Sequence, residues 1–269
     1  MLTLEQLQAG IVIPVDKPRQ WTSFQAVNKI KAAVRNAYGL KKFKIGHAGT
    51  LDPLATGLLL VCVGKATKTI PQLQDGDKVY TGTMVFGATT PCYDLERPVD
   101  RYYPYEHITR ELVEETARRF TGAILQVPPM FSAVKVAGQR AYEYARTDDP
   151  SVTIQPKPVT VYSIEITSFR EASGTASTTS VTSATSITSS AKNLYKNPLG
   201  EVPPHLPQAA FRIPCGKGTY LRSRARDLGE AFGSGAFLAS LRREQVGTYS
   251  VADAILPDQA EAYLTNITR

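Results

Sequence analysis

The sequence predicts an α+β fold, and three observations support that class. Segments with the two-residue alternation of a strand occur beside segments with the apolar spacing of an amphipathic helix. These segments do not follow one another in the regular strand–helix–strand order of a parallel α/β sheet. The chain has 269 residues, of which 42% are hydrophobic, and this is enough for a substantial core.

The predicted elements run through most of the chain. In order, they are a strand at 11–18, a helix from Thr22 or Ser23 to about Asn36, a strand or helix at 58–64, a strand at 78–86, a helix at 109–120, an extended and then helical segment at 126–146, strands at 159–169 and 209–215, and a turn into a helix at 217–233.

Local patterns justify these elements in turn. IVIPVDKP ends its apolar run in a turn, and the helix after it has a capping hydroxyl and one apolar face formed by Val27, Ile30 and Val34. For LLLVCVG, periodicity alone does not distinguish a buried strand from a buried helix. KVYTGTMVF alternates, with Tyr80 and Met84 on the same face. The later helices and strands are predicted from the same helical and two-residue periodicities.

One segment has no pattern of either kind. Residues 173–190 contain 13 Ser or Thr among 18 and no charge, which is typical of a long flexible hairpin tip. We expect one domain over 1–255, with a short tail at 256–269.

The basic charge is concentrated at the N-terminal end. The formal net charge is +7, and residues 1–72 hold ten Lys or Arg against three acids. Such a field attracts RNA, DNA or an acidic surface, although a solvated basic face is the alternative. No apolar run reaches the roughly 18 to 20 residues of a membrane span, and the start has no signal-peptide pattern, so we expect a cytoplasmic protein without a membrane partner.

Several chemistries lack their motifs. The sequence has no Walker P-loop, HExxH or GxSxG motif, and its three histidines are far apart. Its three cysteines show neither a disulfide nor a zinc-site spacing, and are expected to be buried, reduced thiols. The lack of these motifs therefore indicates no metal site, and neither a zinc hydrolase nor a serine hydrolase.

A single acid has an unusual setting. In GHAGTLDPLATGLLLVCVGKATK, at 46–68, Asp52 lies between a glycine-rich turn and an apolar run. Asp52 followed by Pro53 is a common helix start, so capping is one interpretation. A functional carboxylate is the other.

GHAGTLDPLATG resembles the catalytic motif of the TruB-type tRNA pseudouridine synthases. IVIPVDKPRQWTS, DKVYTGTMVFG, VPPMFSAVKVAGQRAYEYAR, KGTYLRSRARDLGE and LRREQVG resemble further motifs of that family, in the same order. The resemblance implies the pseudouridine synthase fold, a mixed and mostly antiparallel sheet flanked by helices with an RNA-binding thumb at about 126–150. Many members carry a C-terminal PUA domain, but this sequence departs from that pattern, and we expect none because only about twenty residues follow VGTYS.

The resemblance also implies roles for individual residues. Asp52 would be the nucleophile or the base, Arg222 would pair with it, and Tyr80 would stack on the uracil and could help to remove the C5 proton. The substrate-binding residues would be His47, Tyr220, Leu241 and Lys17. The RNA-binding residues would be Lys41, Lys42, Lys135 and Arg140.

The implied activity is isomerisation of the T-loop uridine at position 55 of tRNA. The T-arm stem-loop would be the partner, and the enzyme would be a monomer that requires no protein partner or cofactor. Two alternatives are a non-catalytic RNA-binding protein and a guide-RNA-dependent synthase. The first would not need Asp52 with Arg222, and the second would normally carry a PUA domain.

Overall fold

The computed structural model describes residues 3–132, 134–136, 138–144, 153–173 and 199–266. The strands in this part of the chain are β1 (Ile11–Lys17), β2 (Ile45–Ala48), β3 (Thr56–Val63), β4 (Lys78–Phe86), β5 (Ala88–Thr89), β6 (Arg101–Tyr102), β7 (Gly122–Gln126), β8 (Lys135–Val136), β9 (Gln139–Arg140), β10 (Lys157–Val161), β11 (Glu165–Arg170), β12 (Gln208–Cys215), β13 (Ala236–Val246) and β14 (Tyr249–Ser250). The Ser/Thr-rich segment that was predicted to be a hairpin tip lies outside the described residues, apart from its first residue.

Helices flank these strands. They are α1 (Leu4–Ala9), α2 (Ser23–Tyr38), α3 (Ile70–Asp75), α4 (Arg110–Arg119), α5 (Ala141–Tyr144), α6 (Leu221–Ala231) and α7 (Ala260–Asn266), with short 3₁₀ helices at Gly64–Thr69, Val251–Asp253 and Pro257–Gln259. Within the described residues, no helix is long and apolar enough to cross a membrane.

Ten of the described strands form one sheet. Its main order is β1-β3-β13-β4-β12-β10-β7, while β2 pairs with β3, β11 with β12 and β14 with β13. All of these pairs are antiparallel except β3 with β13, where Thr56 and Gly57 lie beside Arg242 and Arg243. The α+β class with a mixed, mostly antiparallel sheet is thereby confirmed.

The predicted N-terminal elements are confirmed and one ambiguity is resolved. Thr22 caps α2 through a reciprocal pair of hydrogen bonds with Gln25, and the predicted apolar face of this helix is buried. Residues 58–63 form a strand with both faces buried, because Leu59, Val61 and Val63 pack in the main core and Leu58 and Leu60 pack in a second apolar cluster. Asp52 caps no helix, because a turn and then β3 follow it, so the capping interpretation is wrong.

The strand predicted at 159–169 is two strands, so that prediction is wrong in detail. Both β10 and β11 pair with β12, with an interruption at 162–164. Tyr162 N donates to the Pro214 carbonyl of β12, but Pro214 has no N–H to donate in return. The ladder is therefore interrupted beside this proline.

The last described residues pack on the body of the protein. Leu264 of α7 is fully buried, and its carbonyl accepts a hydrogen bond from the Tyr38 hydroxyl of α2 at 3.2 Å. The segment assigned to a tail in the sequence analysis therefore contributes to the core through α7.

Candidate active site

The loop that carries Asp52 joins β2 to β3, and Lys17 at the end of β1 binds to it. Lys17 is fully buried, and its Nζ lies 3.0 Å from Pro18 O, 2.6 Å from Trp21 O and 3.3 Å from Pro53 O. Burial lowers the pKa of Lys17 to about 8, while the negative charge of Asp52 acts in the opposite direction. Its three donors therefore serve the fold.

The N-terminus of α2 fixes the same loop from a second direction. The Ser23 hydroxyl accepts from Leu51 N at 2.9 Å and lies 3.2 Å from Leu51 O, to which it can donate. Gln20 N also donates to Pro53 O at 2.8 Å. Both residues beside Asp52 are thus hydrogen-bonded to the segment that starts this helix.

Arg243 of β13 ties the loop to the sheet. Its side chain is almost fully buried, with Nε 2.7 Å from Leu58 O and Nη2 3.1 Å from Gly49 O. Gly57, with φ 98°, allows the backbone of Arg243 to pair closely with β3, because a Cβ at Gly57 would lie 2.3 Å from Arg243 O. Among the described residues, no carboxylate lies within 4 Å of the guanidinium.

Arg222 of α6 pairs with Asp52. Its Nη2 lies 2.9 Å from Asp52 Oδ2 and 2.8 Å from Phe131 O, and its Nη1 lies 3.3 Å from Cys92 O. The Arg222 side chain is 5% exposed, whereas that of Asp52 is 37% exposed. The carboxylate is therefore accessible to a substrate, and the guanidinium behind it is not.

Two further acids surround Arg222. Asp94 Oδ2 lies 3.7 Å from Arg222 Nε, and Asp94 Oδ1 accepts from Glu96 N at 2.9 Å. Burial disfavours the charge of Arg222, but Asp52, Asp94 and Glu96 outweigh it and raise the pKa of Arg222. Burial also raises the pKa of Asp94, and it raises the pKa of Glu96 to about 7, with the neighbouring carboxylates adding to the effect. The guanidinium therefore stays charged beside the Asp52 carboxylate.

These groups open into a cleft of about 380 Å³. Five residues that were predicted to be at the site line it, namely Asp52, Tyr80, Tyr220, Arg222 and Leu241. They come from a loop, from β4, from the start of α6 and from β13. The fold therefore brings distant sequence motifs together around one carboxylate.

Tyr80 forms an aromatic wall of the cleft. Burial raises the pKa of its phenol, and the nearby Arg243 acts in the opposite direction. The phenol is therefore protonated at neutral pH, which suits stacking or hydrogen-bond donation better than the removal of a proton. Lys78, two residues earlier on the same face, also lines the cleft, and its Nζ donates to the Gln74 and Gly76 carbonyls at the end of α3.

Tyr220 is positioned by the segment that leads into the predicted thumb. Its N–H donates to Gln126 Oε1 at 3.0 Å, while Gln126 Nε2 donates to Gly218 O at 3.2 Å. Ser223 Oγ donates to Val127 O at 2.8 Å. These bonds attach the start of α6, with Tyr220 and Arg222, to the end of β7.

The remaining predicted residues lie outside the cleft. His47 is half-buried, and burial followed by Arg243 lowers its pKa, so its imidazole is neutral near pH 7. Lys17 is buried against the loop that carries Asp52. Lys41, Lys42 and Lys135 are exposed, and the Arg140 side chain lies outside the described residues.

The site also includes side chains that were not predicted to belong to it: Lys78, Ser132 and Arg243 in the cleft, and Asp94 and Glu96 beside Arg222. Arg243 was part of the quoted LRREQVG motif, but nothing local distinguishes its buried guanidinium from a surface one. Ser132 lines the cleft, and its buried hydroxyl interacts with the Tyr220 phenol, whose pKa is raised mainly by burial. It follows VPPMF, a signal that was interpreted only as part of the thumb.

Metal-ligating residues do not cluster here. Within the described ranges, no group of three His, Cys, Asp or Glu residues is close enough to hold a metal ion. The three cysteines, Cys62, Cys92 and Cys215, are free and buried, as expected from their spacing.

Comparison with known proteins gives consistent matches. A family profile described as TruB family pseudouridylate synthase (N terminal domain) matches residues 35–187. A tRNA pseudouridine synthase B of Flavobacterium johnsoniae is 46% identical over 255 residues, covering 94% of this chain and 96% of that protein. The protein of the same name from Phocaeicola vulgatus is 44% identical, covering 91% of this chain and 89% of that protein.

Solved structures share the fold. A chain of a Cbf5-Nop10-Gar1 complex superposes with a TM-score of 0.62 at 25% identity, and the match covers 97% of this chain and 57% of that chain. A chain of an archaeal box H/ACA sRNP Nop10-Cbf5 complex gives a TM-score of 0.59 at 22% identity, covering 98% of this chain and 56% of that chain. The present chain thus spans little more than half of those solved chains.

Proposed function

Because the chain belongs to the TruB family of pseudouridylate synthases, we propose that it isomerises the uridine at position 55 in the T-loop of tRNA, with Asp52 as the reacting carboxylate. The observation that carries this proposal is the Asp52–Arg222 pair, in which the accessible carboxylate is backed by a buried cation. The relatives named tRNA pseudouridine synthase B support tRNA as the substrate.

The reaction breaks the N1–C1′ bond of the uridine and joins C5 to C1′, and the C5 proton is lost while N1 gains one. Asp52 either attacks C1′ or removes the C2′ proton, and both routes need an ionised carboxylate beside the ribose. Arg222 presents its positive charge to that carboxylate at 2.9 Å. Water would compete for C1′, so a cleft that also has apolar walls from Leu51, Ala55 and Leu241 favours transfer back to the base.

The base must leave its stack to reach the cleft. Tyr80 offers an aromatic face for the extruded uracil, and Tyr220 and Leu241 offer further walls. Lys17 acts by holding the loop, because all three of its donors are used by backbone carbonyls. His47, next to the loop in β2, is placed to contact RNA as a neutral donor or acceptor.

We further propose that the T-arm stem-loop supplies the recognised shape, with the thumb at 126–150 and the exposed Lys41, Lys42 and Lys135 contacting phosphates. We also propose that the enzyme is a monomer that needs no protein partner. We place the enzyme in the cytoplasm, with tRNA.

The test is pseudouridine mapping in a tRNA transcript incubated with the purified protein alone. We expect one modified position, the T-loop uridine, and none when cytidine replaces that uridine. We also expect an isolated T-arm stem-loop to react with a kcat/KM within about tenfold of full-length tRNA. Modification at another position, or only after a guide RNA is added, would contradict the proposal.

A further inference from the structure

A second cavity lies at the other end of β2 and β3 from the cleft, and it also encloses about 380 Å³. Its interior is apolar, formed by Leu7 of α1, by Leu40 and Phe43 of the segment before β2, and by Val63 of β3. A cavity of this size falls within the range of small-ligand sites, which are usually apolar with a few polar groups.

The walls of this cavity are fixed to one another. Gly64 adopts φ 66° and packs so closely on α1 that a Cβ would lie 2.4 Å from Leu7 O. Its N–H donates to Lys44 O at 2.9 Å, which attaches the segment before β2 to the same point. The cavity is therefore preformed, which lowers the conformational cost of binding.

Four lysines line the cavity together with its apolar residues. Lys42 and Lys44 come from the segment before β2, and Lys65 and Lys68 from the 3₁₀ helix after β3. All four are exposed, and no carboxylate of the described residues lies within 4 Å of any of them. This cluster belongs to the N-terminal region that holds the whole positive excess of the chain.

The distance from the cleft is set by β2. Lys44 precedes Gly49 by five residues of extended chain, which corresponds to about 16 Å. The cavity is thus too far away to hold the reacting nucleotide, yet it is within reach of another part of the same RNA.

We propose that this cavity is a second RNA site, which takes an unpaired nucleotide of the bound RNA with its base against Phe43 and the apolar floor and its phosphates against the four lysines. An apolar floor suits a base, for which aromatic stacking is the usual protein contact. Unpaired cations suit phosphates, whose binding releases counterions. This inference rests on the proposed function, since it assumes an RNA substrate.

The test uses a fluorescein-labelled oligoadenylate hexamer, which contains no uridine and cannot react. We expect K65E/K68E to weaken its binding at least tenfold and to reduce the slope of log Kd against log salt by about 1.4, or about 0.7 per phosphate contact in a single strand. Phe43→Leu, which keeps an apolar side chain without the aromatic face, should weaken binding three- to tenfold.

The matched control is R118E/R119E on α4, which changes the net charge of the protein by the same amount as K65E/K68E. It should leave hexamer binding within about twofold, with thermal melting used to verify that both variants fold. Equal losses in the two charge variants, no loss in K65E/K68E, tighter binding of a blunt RNA duplex than of the hexamer, or an unchanged F43L would each overturn the proposal.

The closing measurement separates this inference from the proposed function. Single-turnover pseudouridine formation in the T-arm stem-loop at saturating enzyme should stay within twofold of wild type in K65E/K68E. A large loss there would show that Lys65 and Lys68 serve the cleft, and would also overturn the second site. A wild-type protein that modifies no tRNA yet binds the hexamer through these lysines would refute the proposed function alone.

Discussion

Replacing Asp52 by Asn tests the assignment of the reacting carboxylate directly. Asn keeps the size of the side chain and a carbonyl oxygen that Arg222 can still contact, but it has no charge. We expect single-turnover pseudouridine formation to fall at least about 1000-fold, or about 4 kcal/mol in the barrier, because neither attack on C1′ nor removal of the C2′ proton is open to an amide.

The structure also sets the cost to stability. Removing one partner of a buried ion pair costs about 3 to 5 kcal/mol when the other charge is left without a partner. Asp52 is 37% exposed, and Arg222 keeps Asp94 at 3.7 Å and two backbone carbonyls. We therefore expect a loss of about 1 to 2 kcal/mol, or about 2 to 8 °C in Tm.

Asp94→Asn is the matched control, since Asp94 is the other carboxylate on the same guanidinium. Its side chain is 8% exposed and does not line the cleft, so D94N should keep a measurable rate. RNA binding by D52N, measured by filter binding, should stay within about tenfold, or about 1.4 kcal/mol. Turnover by D52N above about 1% of wild type, or a dead D94N beside an active D52N, would refute the assignment.

Three further outcomes are expected. Burial and neighbouring acids raise the pKa of Glu96 from 4.5 to about 7, so the folded state binds this proton more tightly and the free energy of unfolding falls as pH rises between those values. The gain in Tm of Glu96→Gln over wild type should therefore be larger at pH 8 than at pH 5. An equal gain at both pH values would refute this coupling. Gly57→Ala should cost more than about 3 kcal/mol by urea unfolding, because its Cβ would meet Arg243 O at 2.3 Å, whereas Gly122→Ala, also at positive φ but in open space, should cost about 1 kcal/mol. Ser132→Ala should leave Tm within about 2 °C and raise KM, because its hydroxyl interacts with the Tyr220 phenol of the cleft; a large fall in Tm would show that the hydroxyl serves the fold.

Local sequence pattern was enough to predict the helices and strands that show one clear periodicity. The α2 helix and β4 were predicted almost to their ends, because a capping hydroxyl and strict alternation are properties of neighbouring residues. The strand β13 was missed although it lies at the centre of the sheet, since AFLASLRREQV includes two arginines and a glutamate that are unusual in a buried strand. Arg243 is tolerated there because Leu58 O and Gly49 O accept its hydrogen bonds.

The candidate site was predictable to a similar extent and for a similar reason. Asp52, Tyr80 and Arg222 lie in motifs whose family resemblance is readable from sequence, and the structure brings them around one cleft. Asp94 and Glu96 belong to no such motif, and their relation to Arg222 arises only when the segment after β5 folds against α6. No spacing in the sequence indicates that contact.

The parallel contact between β3 and β13 also affects when the site can form during synthesis. The loop with Asp52 emerges early from a ribosome, but Arg243, which binds Gly49 at one end of that loop, is made after about nine tenths of the chain. Arg222, the counter-charge of Asp52, also comes late. The loop therefore cannot reach its final geometry until residues in the last tenth of this sequence have been made.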